Sequence, residues 1–176
     1  LINPLPEGEL DALSDTICSN DSIRLTFHAT GNAPFEIVLS NGNDSTLKSN
    51  LLNGTDSAYV RSDGPGVFTI SRLTDVNGCD AVQKPGEASV FVYKVPETFA
   101  GNDTAVCGPV IDLVANADIG TGLWSALESQ TAFSPVDQPD ATATVDSFGL
   151  YNFVWKETEG FCSNADTVQV TFYELP

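Results

Sequence analysis

Apolar and polar residues alternate along short stretches of this chain. Across residues 22–30, Ile23, Leu25, Phe27 and Ala29 fall on one side, with Arg24, Thr26, His28 and Thr30 on the other. Phe35, Ile37 and Leu39 share a side, as do Tyr151, Phe153 and Trp155, and again Val168, Val170 and Phe172. A period of two marks a half-buried strand, because successive side chains of a pleated strand point to opposite faces. Turn signals separate the runs: Gly31-Asn32, Asn41-Gly42, Asn53-Gly54, Asn77-Gly78, Pro139-Asp140, and the longer Asp63-Gly64-Pro65-Gly66 and Lys84-Pro85-Gly86. No stretch sustains a 3.6-residue period. Many short strands with closely spaced turns predict an all-β chain built as Greek-key β-sandwiches. Residues 127–140, which hold two prolines, are expected to form a long loop or an irregular edge.

The pattern occurs twice. Gly66-Val67-Phe68-Thr69-Ile70 leads to Cys79, and Gly149-Leu150-Tyr151-Asn152-Phe153 leads to Cys162; the glycine-to-cysteine interval is 13 in both. Upstream, Asp15-Thr16-Ile17-Cys18 corresponds to Asp103-Thr104-Ala105-Val106-Cys107. Downstream, Val90–Pro96 corresponds to Val170–Pro176. Two tandem modules follow, 1–96 and 97–176, with a proline at each joint to fix φ and stiffen the connection. Residues 1–10, which include Leu1-Ile2-Asn3-Pro4-Leu5-Pro6, read as a linker or as the tail of a preceding copy, so the chain reads as a piece of an array.

Each copy holds two cysteines, Cys18 with Cys79 and Cys107 with Cys162. Repeat logic selects one disulfide within each module, and closing such a loop stabilises by about 4 kcal/mol in the chain-entropy model. Close pairs of the Cys-x-x-Cys kind, which zinc sites need, do not occur. Disulfides imply an oxidising setting, extracellular or at the cell surface.

Charge narrows the partners. The net charge is −17. Residues 1–95 carry 12 acids and 6 bases; residues 96–176 carry 12 acids and Lys156 alone. No basic stripe exists to neutralise phosphates, which argues against nucleic acid and against an anionic membrane surface. No apolar run is long enough to cross a bilayer as a helix.

Candidate chemistry is sparse. His28 alternates with core positions and is expected to face solvent. Glu157 and Glu159 sit two apart near a strand end with nothing to suggest a cleft. No nucleophile elbow, zincin, phosphate-loop or dinucleotide motif occurs, so the chain is read as non-enzymatic and without a cofactor. Calcium is the one metal to consider, at two oxygen-rich loops, Asn43 with Asp44 and Asp137 with Asp140. Neither has the EF-hand spacing. Seven of fifteen aspartates precede Ser or Thr, where about three would be expected by chance. The hydroxyl residues are Thr16, Ser22, Ser45, Ser57, Thr104, Ser147 and Thr167. Local hydrogen bonding accounts for such dipeptides; O-glycan attachment is the alternative.

The combination Ala100-Gly101-Asn102-Asp103-Thr104…Cys107, Gly120-Thr121-Gly122-Leu123-Trp124-Ser125 and Gly149–Trp155…Cys162…Asp166-Thr167-Val168-Gln169-Val170 resembles the PKD-like/Ig-like repeats of large surface proteins of gliding bacteria. The resemblance is close over 97–176 and looser over 11–95. It implies immunoglobulin-like sandwiches, export by type IX secretion, and O-glycans on Asp-Ser/Thr-apolar motifs. It brings no catalytic residues. A stalk or spacer of an adhesin or gliding-motility-type protein is the first expectation. Its partners would be neighbouring repeats, surface glycans or another cell-surface protein, and the segment itself would be monomeric. The second is a polysaccharide-binding accessory module of a secreted enzyme, in which Trp124, Trp155, Tyr59 and Tyr151 would stack on sugar rings.

Overall fold

The computed structural model describes residues 4–127 and 131–176. The first three residues of the expected tail, and 128–130 of the expected loop, lie outside the described residues. The chain divides into two compact units, Leu1–Tyr93 and Lys94–Pro176.

The first unit holds β1 (Glu7–Leu10), β2 (Leu13–Cys18), β3 (Ser22–Thr30), β4 (Phe35–Ser40), β5 (Ser45–Leu51), β6 (Gly54–Arg61), β7 (Gly66–Thr74) and β8 (Ala88–Tyr93). Its sheets run β1-β3-β6 and β2-β8-β7-β4-β5. The strand after β3 thus joins the other sheet, the crossover of an immunoglobulin-like sandwich. Alternation explains the layers. In β3 every second residue, Ile23 to Ala29, is buried, and in β4 Phe35, Ile37 and Leu39 are fully enclosed. With Phe68, Ile70 and Leu73 of β7 they form one apolar cluster, each side chain contributing about 1.5–3 kcal/mol by leaving water.

The expected tail needs correcting. Residues 7–10 are an integral strand, paired in register with β3 from Glu7↔Thr30 to Leu10↔Phe27. Leu10 is buried in the core. The Gly8–Leu10 alternation drives this, because both positions face inward. The close approach extends to Gly86, where a Cβ would collide with the Leu10 backbone.

The second unit holds β9 (Thr104–Cys107), β10 (Val110–Val114), β11 (Thr121–Ala126), β12 (Thr131–Ser134), β13 (Asp140–Val145), β14 (Gly149–Glu159) and β15 (Cys162–Tyr173). Its sheets run β10-β13-β12 and β11-β14-β15-β9. Within 127–140, expected to be a long loop or an irregular edge, lies the short edge strand β12, which pairs with β13 from Thr131↔Val145 to Ser134↔Thr142. Phe133 supplies the reason. Its ring stacks on Trp124 at 6.2 Å and meets Phe153 edge-on at 5.4 Å. Trp124 and Trp155 touch at 5.2 Å, and Phe153 meets Phe172 at 6.1 Å. Gly122 is required here, since a Cβ would overlap the Trp155 indole.

Among the described residues all strand pairings are antiparallel but two. In each unit the first strand of the larger sheet pairs parallel with the last: β2 with β8, and β9 with β15. These are the segments that the internal repeat aligns.

Candidate functional site

The cysteines are the most informative reactive groups, and their placement overturns the expected pairing. Cys18 is opposite Tyr93, the last residue of β8. Cys107 is opposite Tyr173, the last residue of β15. Both mark the end at which the chain leaves its unit. Cys79 and Cys162 mark the other end. Cys162 opens β15 opposite Glu159 at the β14–β15 hairpin. Eleven residues of extended chain, ~36 Å, separate it from Tyr173 and hence from Cys107. In the first unit Gly66 pairs with Val90, so β7 carries the chain away from Tyr93 toward Thr74, and Cys79 lies in the turn beyond. The span is again ~36 Å. A disulfide needs Cα atoms within about 7 Å. Neither intramodular bridge forms: Cys79 and Cys107 are free thiols, whereas Cys18 and Cys162 are each disulfide-bonded.

The N-terminal end of each unit is identified by its own contacts. In the first, Gly31 packs against Pro6 and Asn32 O accepts from Val76 N–H at 3.4 Å. In the second, Asn164 Nδ2 donates to Pro96 O at 3.0 Å. Cys79 is held by Asp75, whose Oδ1 accepts from the N–H groups of Asn77 and Cys79, both at 2.9 Å. Burial works to raise the Asp75 pKa, but these donors outweigh it and hold the carboxyl below its ordinary range.

The Asn41–Asp44 loop serves turn geometry. Asn41 Oδ1 accepts from Asp44 N–H at 2.7 Å and Asn43 N–H at 3.0 Å, while Asn41 Nδ2 donates to Asp44 Oδ2 at 3.2 Å. Asp137 is exposed, and Asp140 opens β13 opposite Val114. Among the described residues no group of three or more His, Cys, Asp or Glu is placed to hold a metal ion, and no helix is long and apolar enough to cross a membrane.

His28 is exposed, its Nδ1 lying 3.3 Å from Thr55 Oγ1. The two are register partners across β3 and β6, which is what brings them together. Glu157 lies inside the sandwich, on the inward face of β14. It is 1% exposed. Its oxygens accept from Asp118 N–H at 3.0 and 3.2 Å and from Trp155 Nε1 at 3.2 Å. The carboxylate fastens the loop before β11 to the aromatic core. Its side chain continues the inward series 151, 153, 155, a signal present in the sequence. Asp118 in turn accepts from Lys94 Nζ at 2.8 Å, which lowers the Asp118 pKa and raises that of Lys94.

The four aromatics proposed to stack on sugars do not form a platform. Trp124, Trp155 and Tyr151 are buried, and Tyr59 is 67% exposed. Among the Asp-Ser/Thr positions, Ser22, Ser45, Thr104, Ser147 and Thr167 are exposed and Thr16 and Ser57 half-buried. Ser57 Oγ accepts from Arg24 Nε at 2.8 Å, and Ser147 Oγ contacts Tyr151 Oη at 2.9 Å. Several of the aspartates have structural duties. Asp15 and Asp56 accept from the next residue's N–H, Asp103 accepts from Gln169 N–H, and Asp166 accepts from Ala100 N–H.

No protein-family model matches the chain, and no curated protein matches it. Among solved structures it is similar to an I-band fragment from titin, at 17% identity over 96% of this chain and 66% of that one, with a TM-score of 0.46. It is also similar to the IG1+IG2 pair of DIP-gamma, at 11% identity over 98% and 99%, with a TM-score of 0.46. Extracellular domains 3–5 of Drosophila OTK match at 11% identity over 92% and 63%, with a TM-score of 0.39. The immunoglobulin-like assignment rests on strand order and register, not on these likenesses.

Proposed function

We propose that the chain is a non-catalytic, tension-carrying spacer from a bacterial cell-surface adhesin or gliding-motility-type protein. The observation that carries this reading is the parallel pairing of first and last strands, β2 with β8 and β9 with β15. In each unit the chain comes in at one end and leaves at the other. Tension on the chain therefore shears the parallel pair along its length, so that its hydrogen bonds are loaded together rather than one at a time. The sequence resemblance to repeats of type IX-secreted surface proteins supplies the setting, extracellular or at the cell surface. The exposed hydroxyls of Ser22, Ser45, Thr104 and Thr167 are the positions where O-glycans would sit without disturbing a hydrogen bond of the fold.

Single-molecule pulling tests it. In reducing buffer, the second unit pulled through its chain ends should unfold at higher force than when pulled between positions 149 and 172. Those two residues are register partners at one end of β14 and β15, so the second geometry unzips the pair bond by bond. Equal forces in the two directions would remove the spacer reading.

A further inference from the structure

We propose that the outer face of the second unit's four-stranded sheet, β11-β14-β15-β9, is a self-association face that packs against the same face of a second copy of this chain. The inference goes beyond the spacer reading and gives it a lateral partner, where the sequence pattern left the segment monomeric. Strand register defines the face. In β14 the even-numbered residues from Leu150 to Thr158 alternate with the buried Tyr151, Phe153, Trp155 and Glu157. Their partners are the odd-numbered residues of β15, with Leu150 opposite Thr171 and Thr158 opposite Ser163. Register extends the face to Thr121, Leu123 and Ser125 of β11 and to Ala105 and Cys107 of β9.

Charge is turned away from this face. Residues 96–176 carry 12 acids, yet none of the outward positions on these four strands is Asp or Glu, and Lys156 is their one charged residue. The carboxylates of β14 and β15 alternate to the opposite side: Glu157 and Glu159 in β14, and Asp166, which accepts from Ala100 N–H at 2.8 Å, in β15. At the margin, Asp103 accepts from Gln169 N–H at 2.8 Å. The outer face of the three-stranded sheet, by contrast, displays Asp112 and Asp140. What the neutral face offers is apolar surface: Leu123, Leu150 and Tyr173 are 51%, 54% and 57% exposed. Depletion of charge around exposed aliphatic and aromatic side chains is the composition of an interface core.

A second copy is the occupant these features fit. Apart from Lys156, the polar side chains of the face bear hydroxyls, amides or the Cys107 thiol. Hydroxyls and amides both donate and accept, so the face is complementary to itself, as an isologous contact requires. Gln169 Nε2 already donates to Asn152 Oδ1 at 3.1 Å between β15 and β14. A basic partner would find no carboxylate here to pair with. Two chains of net charge −17 repel one another, and packing through this face buries apolar surface without setting carboxylate against carboxylate. Four strands ~4.8 Å apart and on average ~27 Å long give a face of roughly 500 Å². Two copies would bury about 1,000 Å², the lower limit of a specific interface, so the dimer is expected to be weak.

The test is sedimentation equilibrium of the full chain carrying Cys79→Ser and Cys107→Ser, so that neither free thiol can link two copies. A monomer–dimer equilibrium is expected, and it should tighten severalfold between about 50 and 500 mM salt as repulsion between the acidic chains is screened. Leu123→Glu and Leu150→Glu should each weaken it about tenfold or more, because each places a carboxylate inside the contact. Val114→Glu, on the outer face of the other sheet, adds the same charge and should leave the dissociation constant within about twofold. Tryptophan-detected urea unfolding checks that all three variants are folded. A chain that stays monomeric at about 0.5 mM would overturn the proposal. So would a dimer that loosens with salt, one that Leu123→Glu and Leu150→Glu leave intact, or one that all three variants weaken alike. None of these results touches the spacer reading, which rests on the path of the chain and fails only if the unfolding forces are equal in the two directions.

Discussion

Truncating Glu157 to alanine should destabilise the second unit far more than replacing it with glutamine. Alanine leaves the buried Trp155 Nε1–H and the part-buried Asp118 N–H without the oxygens that now accept them. An unsatisfied buried donor costs about 1–3 kcal/mol and the part-buried one adds about 1 kcal/mol, hence ~2–4 kcal/mol for the pair. Removing the carboxylate also relieves its own desolvation, which places the expected net at the lower end, ~2–3 kcal/mol. Glutamine keeps one carbonyl oxygen in place and should cost about 1 kcal/mol. A unit of this size is stable by roughly 4–12 kcal/mol, so both variants remain foldable. The assay is unusually clean, because the chain's two tryptophans, Trp124 and Trp155, both lie in the second unit. Fluorescence-monitored urea unfolding therefore reports that unit alone. With a slope of about 1 kcal/mol per molar urea, alanine should lower the midpoint by ~2–3 M without changing the slope. Equal midpoints for alanine and glutamine, or an alanine shift below ~0.5 M, would refute the role given to the buried carboxylate.

Tyr151→Phe removes a hydroxyl that donates to Ser147 O at 2.9 Å; the expected loss is about 1 kcal/mol, read as a fall of roughly 4–8 °C in the tryptophan-detected melting temperature. The Asp75 carboxyl is held below its ordinary value of 3.8. Its contribution is therefore present above 3.8 and lost as pH falls through the lower folded value. Hydrogen exchange should show protected Asn77 and Cys79 amides at about pH 5, a protection that Asp75→Asn weakens there. Millimolar calcium against chelator should leave the melting temperature unchanged, because Asn41 Oδ1 and Asp44 Oδ2 already accept hydrogen bonds within the turn; a rise with calcium would place an ion there.

The core was legible wherever alternation ran long enough to count. Ile23 to Ala29, Phe35 to Leu39, Tyr151 to Trp155 and Val168 to Phe172 all face inward as the period of two requires. Short strands were not. β12 offers four residues and one inward aromatic, flanked by Pro135, and its partner Trp124 is distant in sequence. β1 was masked by the neighbouring prolines, and only its register with β3 reveals it. The cysteine repeat was visible, but its meaning was not. Which end of a module a cysteine occupies is set by strand register, and the parallel pairing of β2 with β8 and β9 with β15 leaves no periodic mark in the sequence. Glu157 shows the opposite case. Its place two residues after Trp155 put it on the inward face, and the alternation rule applied to a charged residue would have found it.

The central claim is that the cysteines sit at opposite ends of each unit. Peptide mapping of the oxidised chain under non-reducing conditions, with free thiols alkylated first, tests it most directly. The account predicts that Cys79 and Cys107 are alkylated and that Cys18 and Cys162 are protected as disulfide-bonded residues. Linked peptides joining Cys18 to Cys79 and Cys107 to Cys162 would contradict it.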